Sequence, residues 1–172
     1  RQRFAIDYIC IMATLSVTIK ESIKLNGRER GSEISMDVTS ITQVMHRIVS
    51  LPADGGSTAT QTTIGNFRTA VTTADSSMVD DDVRYIRVTN LDESNSITLN
   101  LQLAANGGVD ASTNASFLLE AGKTLILNKA VGLAAVDDDQ ATAITSLVDL
   151  ESIIAINDNN ADVDLEVFVA SV

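Results

Sequence analysis

The sequence predicts an all-β protein of about eight strands, arranged as an antiparallel sandwich or barrel. Several segments alternate apolar and polar residues with a period of two, and "SITLNLQLA" is the clearest of them. Turn-forming residues separate these segments. No strand pattern alternates with a helix pattern, as a doubly wound fold requires. These three observations favour an antiparallel sandwich or barrel.

The first predicted element is a hairpin arm, residues 13–38. Its centre is Asn26-Gly27, a strong signal for a type I′ turn. On both sides of this turn apolar residues alternate with polar ones, at Leu15, Val17, Ile19, Ile34, Met36 and Val38. We therefore expect two strands that pair across the turn.

The next segment, residues 40–51, is ambiguous. Its apolar residues fall at i, i+3, i+4 and i+7, the spacing of a helical stripe, which predicts a short helix. Its many β-branched residues favour a strand instead. Either element ends at Pro52, the single proline of the chain.

Residues 53–82 are rich in Thr, Ser, Gly and Asp. This composition predicts long loops with two short strands, one around Ile64 and one from Phe67 to Val71. The alternative is that strand edges in this region pair with a neighbouring subunit.

Residues 83–172 hold the clearest strands, separated by polar turns. These strands are "VRYIRVTNL", "SITLNLQLA", "ASFLL", "TLILN", "LVDLESIIAIN" and "VDLEVFVASV". The turn "EAGK" predicts a hairpin between "ASFLL" and "TLILN", because Gly122 adopts tight-turn conformations without strain.

A chain of 172 residues suits one domain. We interpret residues 13–172 as a single sandwich domain that includes the arm. Residues 1–12 are interpreted as an N-terminal extension, either artefactual or flexible. Cys10 is the single cysteine, so no disulfide forms within the chain.

The net charge of −11 limits the choice of partner. Phosphate neutralisation needs Lys and Arg, so we expect no nucleic-acid partner, and we expect no anionic membrane surface either. The charge is unevenly placed: residues 1–54 carry seven Lys/Arg and six Asp/Glu, whereas residues 55–172 carry five and seventeen. Either the N-terminal part docks on an acidic partner, or the charge simply keeps the protein soluble.

Few residues suit catalysis. A hydrolytic triad needs a base beside a nucleophile and an orienting acid, and no G-x-S-x-G elbow accompanies His46, the single histidine. We interpret His46 as a partly buried, hydrogen-bonded residue. No glycine-rich phosphate-binding motif occurs. The sequence therefore predicts no enzymatic activity, no catalytic residue and no cofactor.

One acidic stretch has the residue types that Ca²⁺ prefers. Asp158, Asn160 and Asp162 stand at alternate positions in "DNNADVD", which resembles the start of a calcium loop. The Gly and Glu that an EF-hand needs further along are replaced by Val163 and Val169. We interpret the stretch as a turn between strands, with metal binding as the alternative.

The later segments also have a familiar order. "VRYIRVTNLDESNSITLNL", "FLLEAGKTLILN" and "LVDLESIIAINDNNADVDLEVFVAS" together resemble small β-sandwich virion proteins of tailed bacteriophages, of the capsid decoration or cement type. The resemblance covers residues 83–172, about half of the chain. It implies a jelly-roll-like fold, a homo-oligomer that is often a trimer, and no active site. It also implies a position on the capsid surface, with the major capsid protein as partner.

On this resemblance we expect the arm to contact the shell. The candidate partner-binding residues are Lys20, Lys24, Arg28 and Arg30. The alternative is an ordinary first hairpin with a solvated basic turn.

Other functions remain open at this point. A tail, neck or fibre-base component is a second structural possibility. A lectin-like receptor-binding module would contact its ligand through loops 53–82 and 129–146. An enzyme on a sandwich scaffold would require His46 or an acidic pair, and fold alone does not decide among these.

Overall fold

The computed structural model describes residues 12–55, 59–68, 77–104, 113–135 and 147–172. Within these ranges the chain forms thirteen strands, one 3₁₀ turn (Asp80–Asp82) and no α-helix. The arm contains β1 (Ala13–Lys20), β2 (Lys24–Leu25), β3 (Arg28–Glu29) and β4 (Glu33–Ile41). The other strands are β5 (Gln43–Leu51), β6 (Thr60–Arg68), β7 (Met78–Val79), β8 (Val83–Asn90), β9 (Ile97–Leu103), β10 (Thr113–Leu119), β11 (Thr124–Leu127), β12 (Leu150–Asn157) and β13 (Val163–Ser171). Residues 1–11 of the predicted extension lie outside the described residues.

Two sheets form the body of the molecule. One has four strands in the order β11-β8-β13-β5, and the other has five in the order β10-β9-β12-β6-β7. If the two-residue β7 is left aside, every connection except β9–β10 passes from one sheet to the other. This strand order is a jelly roll. The predicted all-β, jelly-roll-like sandwich of about eight strands is therefore confirmed.

The core lies between the two sheets and follows the period of two. In β9, and in β13 from Val163 to Val169, every second residue from the first is buried and the residues between them are more exposed. The largest fully buried side chains are Leu51, Ile64, Ile86, Ile97, Leu99, Leu103, Leu150, Ile153, Leu165, Val83, Val88 and Val163. They come from both sheets, so the sandwich has one shared apolar core.

The helix predicted as an option within residues 40–51 is absent, because β5 (Gln43–Leu51) occupies this segment. β5 pairs with β13 along its whole length, and Val49 lies opposite Leu165 on the core side. The helical stripe would have buried Val44 and Ile48, yet these side chains are 51% and 65% exposed. Pairing with β13 decided between the two patterns.

The hairpin predicted around "EAGK" is also wrong. β10 pairs with β9 in one sheet, and β11 pairs with β8 in the other. The turn at Gly122 thus joins two sheets and not two neighbouring strands. Gly122 does have the positive φ expected of it, 67°. Two alternating strands and a tight turn look the same in sequence whether or not the strands pair.

The region 53–82 has more regular structure than its composition predicts. β6 (Thr60–Arg68) has nine residues and pairs with β12. Its threonines suit the half-exposed outer rows of a sheet as well as they suit loops. The strand predicted to continue to Val71 extends into residues 69–76, which lie outside the described residues.

Two buried asparagines hold the turns at one end of the sandwich. The Asn90 amide nitrogen donates to the carbonyl oxygens of Asn95 (2.8 Å) and Leu119 (3.2 Å), which ties the β8–β9 turn to the β10–β11 turn. The Asn157 amide nitrogen donates to the carbonyl oxygens of Leu51, Pro52 and Ala161 at 2.9–3.2 Å. Both side chains are fully buried.

Replacing Asn157 with alanine should destabilise the sandwich by about 3 kcal/mol, because the turn carbonyls lose the two N–H donors that they share at a buried site. Urea unfolding of the full chain measures the loss. Asn160→Ala is the matched control, since Asn160 lies in the same turn but is exposed. Equal losses in the two variants would contradict the role given to the buried amide.

Candidate functional site

The arm has one apolar face and one polar face. β1 and β4 pair in antiparallel register, so apolar residues lie opposite apolar ones: Leu15 and Val38, Val17 and Met36, Ile19 and Ile34. The intervening pairs are polar, with a hydrogen bond from Ser16 to Asp37, one between Thr18 and Ser35, and an ion pair between Lys20 and Glu33. Directly opposed pairs of this kind stabilise a two-stranded ribbon.

The tip of the arm is built by local backbone geometry. Asn26 (φ 51°) and Gly27 (φ 76°) both have positive φ, as a type I′ turn requires, so this prediction is confirmed. Gly31 lies against the backbone of Glu21, and a Cβ there would collide with the Glu21 carbonyl oxygen. The Glu29 carboxylate accepts the backbone N–H groups of Ile23 and Gly31 and closes the tip.

The base of the arm packs on the outer face of the four-stranded sheet. Ile41 is buried there with Tyr85 and Ala170, at 3%, 5% and 0% exposure. Leu15, Val17 and Val38 from the arm and Phe168 from β13 are partly buried against this cluster. This second cluster is separate from the main core, so the arm is an addition to a sandwich that is already closed.

The outer part of the same apolar face is uncovered. Its exposed side chains are Ile19 (41%), Ile23 (55%), Leu25 (55%), Ile34 (60%) and Met36 (43%). A groove of about 330 Å³ separates the arm from the sheet, lined by Leu15, Val17 and Ile19 on one side and by Phe168, Arg87 and Ile126 on the other. We call the five exposed residues Ile19, Ile23, Leu25, Ile34 and Met36 the arm stripe.

The four predicted partner-binding residues lie around the arm stripe. Lys24 and Arg28 are in the tip strands, Arg30 follows them, and Lys20 ends β1. Lys20 pairs with Glu33 at 3.4 Å. Residues 12–41 carry four Lys/Arg and four Asp/Glu, so the arm is neutral and not basic. Whether the four cations bind a partner stays a prediction.

Sequence reasoning concentrated on these cations and missed the arm stripe. The alternation of apolar residues was visible, but it predicted a strand face packed on the core. The length of the arm was the available signal. A hairpin of about 30 residues reaches about 40 Å, which is longer than a typical strand of a sheet, so its outer part projects beyond the sheet on which its base packs.

A charged network covers the outer face of the four-stranded sheet. Glu166 accepts hydrogen bonds from Arg87 (2.8 Å) and lies 2.7 Å from His46 Nε2. Phe168 lies beneath this network, with ring centroids 5.7 Å from His46 and 6.0 Å from Tyr85. The hydrogen bond from Arg87, followed by that from His46, lowers the pKa of Glu166. His46 is hydrogen-bonded as expected, but its side chain is 55% exposed.

The three candidate metal ligands, Asp158, Asn160 and Asp162, have different environments in the turn between β12 and β13. The Asp162 carboxylate accepts the backbone N–H of Ala53 at 2.8 Å, which joins the turn to the end of β5. Asp158 and Asn160 are both exposed to solvent. Among the described residues no group of three or more His, Cys, Asp or Glu side chains is placed to hold a metal ion. Metal binding at this turn stays a prediction.

A second groove, of about 560 Å³, lies at the five-stranded sheet. Polar side chains line it, namely Asn66, Arg68, Asp80, Gln102, Asp149, Glu151 and Ser152. Phe67, also at the groove, is 2% exposed and offers no stacking surface to a sugar ring. Of the loops predicted to contact a ligand, residues 56–58, 69–76 and 136–146 lie outside the described residues.

Comparison with protein-family models, with curated proteins and with solved structures finds no match to this chain. In the part of the chain that the structure describes, no helix is long and apolar enough to cross a membrane.

Stability should fall in acid through Glu166. Its pKa is lower in the folded state than the ordinary value of 4.5, so its contribution is complete above pH 4.5 and is lost as pH falls through the lowered pKa. Urea unfolding between pH 7 and pH 3 should show the stability gap between the native chain and Glu166→Gln closing below pH 4.5. A gap of constant size would contradict this.

Gly31→Ala should disorder the tip of the arm and leave the sandwich intact. The added Cβ collides with the Glu21 backbone, whereas Gly27→Ala, the comparison variant, meets no atom within 4 Å and only strains φ. Amide hydrogen exchange should rise in residues 21–32 far more for Gly31→Ala, with the thermal midpoint of the sandwich unchanged. A lowered midpoint would mean that the tip supports the body.

Proposed function

We propose that this chain is a structural protein of a virion, a capsid decoration or cement protein that binds the major capsid protein through its arm as a homo-oligomer. It would lie on the capsid surface and have no enzymatic role. The observation that carries the proposal is the arm stripe, an apolar surface held away from the body on a paired hairpin.

The arm stripe supports docking because its residues are neighbours. Ile19 and Ile34 lie directly opposite each other, and Met36 lies one pair nearer the base. Their side chains are 41–60% exposed. Because these exposed residues are neighbours in the β1–β4 register, they form one patch and are not scattered single residues. Contiguous exposed apolar patches mark interaction sites. The inner half of the same face is already buried on Tyr85 and Ala170, and a partner would extend that burial outward.

The charge distribution also supports docking through the arm. The chain as a whole has a charge of −11, whereas residues 12–41 are neutral. A neutral arm can approach another protein without the repulsion that the body would meet. Lys24, Arg28 and Arg30 have no ion-pair partner among the described residues, so they would form a polar rim for acidic groups of the shell.

The sandwich itself supports a structural role. His46 is held by Glu166, and the buried asparagines Asn90 and Asn157 are occupied with turn carbonyls. The two asparagines position backbone, and His46 is paired with a side chain of the sheet, which suits a structural role. Jelly rolls occur in capsid proteins and in lectins, so the fold agrees with a virion role without selecting it. The choice of a virion rests on the resemblance of residues 83–172.

Two alternatives have different supports. A tail, neck or fibre-base protein would use the arm in the same way and differ in copy number. A lectin-like receptor-binding module is favoured by the polar groove at the five-stranded sheet, since Asn, Asp, Gln and Arg side chains bind sugar hydroxyls. A glycan array on which no sugar binds would remove this alternative.

The first test is the copy number in purified virions, measured by quantitative mass spectrometry against the major shell protein. A number comparable with that of the shell protein supports decoration or cement. A handful of copies supports the tail or neck alternative. Absence from particles overturns the virion proposal.

Ile34→Lys should weaken attachment of the full chain to isolated shells about 30-fold, because burying an isoleucine contributes about 2 kcal/mol. Ser35→Lys is the matched control: it places the same charge at the next residue, on the polar face of β4. Both variants should keep the native urea midpoint. Co-sedimentation with shells measures attachment, and equal effects of the two substitutions would refute docking through the arm stripe.

A further inference from the structure

One edge of the sandwich lacks the features that keep β-edges apart. β10 (Thr113–Leu119) is the last strand of the five-stranded sheet among the strands that the structure describes. It contains no charged residue and no proline, and its register with β9 has no bulge. Natural edge strands are protected by charges, prolines, bulges or short length. A seven-residue edge without these features is suited to pairing with another strand.

The other edges of the two sheets are protected. β7 and β11 have only two and four residues, and short edge strands offer little backbone to another chain. β6, which β7 covers only at Phe67 and Arg68, has an irregular register with β12. β5 has nine residues but carries Arg47, whose side chain donates to the carbonyl oxygen of Ile64 in the opposite sheet. β10 therefore stands out as the edge at which a strand can be added.

The side chains at this edge are apolar and uncovered. Leu118 is 67% exposed and Phe117 is 47% exposed. A groove of about 300 Å³ opens between β10 and β11, with Leu99, Leu119 and Leu125 at its base. A strand that pairs with β10 would bring its own side chains over this opening.

Electrostatics and strand chemistry select the partner. Two chains of charge −11 repel each other, and they come together most easily where local charge cancels. The strand is uncharged, and the charged residues lining the groove, Glu120 and Lys123, offset each other. An antiparallel pair of identical strands is self-complementary about a two-fold axis.

We propose that β10 pairs antiparallel with β10 of a second copy of this chain, which joins two five-stranded sheets into one continuous sheet. Main-chain hydrogen bonds across the two-fold axis satisfy the free edge, and Phe117 and Leu118 of each copy pack against the other copy. This goes beyond the proposed function, because the arm stripe belongs to a different surface and the pairing holds whatever the arm binds.

Sedimentation equilibrium of the full chain tests the pairing. The native chain should have twice the mass of one chain, and Leu118→Lys should raise the dissociation constant of the dimer about tenfold or more, because a charge replaces an exposed apolar side chain at the paired edge. Ile48→Lys is the matched control, since Ile48 is 65% exposed on β5, in the other sheet. Ile48→Lys should remain dimeric.

Three results would overturn the proposal: a monomeric native chain, a dimer unaffected by Leu118→Lys, or a dimer weakened equally by Ile48→Lys. The urea midpoint checks that Leu118→Lys is folded. If it is not folded, Ser116→Lys, at an exposed position of the same strand, takes its place. Loss of dimerisation with shell binding intact separates this interface from the arm.

Discussion

The structure depends on how the buried amides of Asn90 and Asn157 hold the turns that pass from sheet to sheet. A jelly roll changes sheet at almost every connection, so the strand ends leave carbonyl groups that no neighbouring strand can reach. Asn90 and Asn157 donate to those carbonyls from positions without solvent exposure. Asn159 extends the network by donating to the carbonyl oxygen of Ser96 at 2.8 Å, which links the β12–β13 turn to the start of β9.

The closed sandwich leaves the arm free for another task. Its base is anchored on the outer face of the four-stranded sheet by Ile41, while the arm stripe has no contact that buries it within the described residues. Ser40, just before Ile41, has a φ of 64°, a conformation that a residue other than glycine adopts only when its surroundings enforce it. The anchored base thus sets the direction in which the arm leaves the body.

Charge and apolar surface are distributed in a complementary way. The body carries the excess of acidic residues, whereas the arm and β10 are neutral and present apolar side chains. Acidic surface keeps the bodies of neighbouring copies apart, and neutral apolar surface allows contact at two defined places. The proposed shell contact and the proposed β10 pairing use these two places, so the two interactions do not compete for one surface.

Most local features were predictable from the sequence, because they depend on neighbouring residues. The type I′ turn at Asn26 and Gly27 and the positive φ at Gly122 are examples. The segment 40–51 was not predictable, since the spacing of its apolar residues fits a helix whereas its β-branched residues favour a strand, and only pairing with β13 decides between them. The candidate site was predictable only in part: the charged residues of the arm were evident, but the exposure of Ile34 was not.

The sequence by itself determined the fold class and the local conformation of the turns at Gly27 and Gly122, because a period of two and turn chemistry act over a few residues. Only the tertiary structure decided which strands pair, since β10 and β11, joined by one tight turn, lie in different sheets. It also decided which apolar faces are buried. The alternation of Ile19, Ile34 and Met36 matches that of a core strand, and exposure depends on whether another layer lies opposite, which is a long-range property of the whole chain.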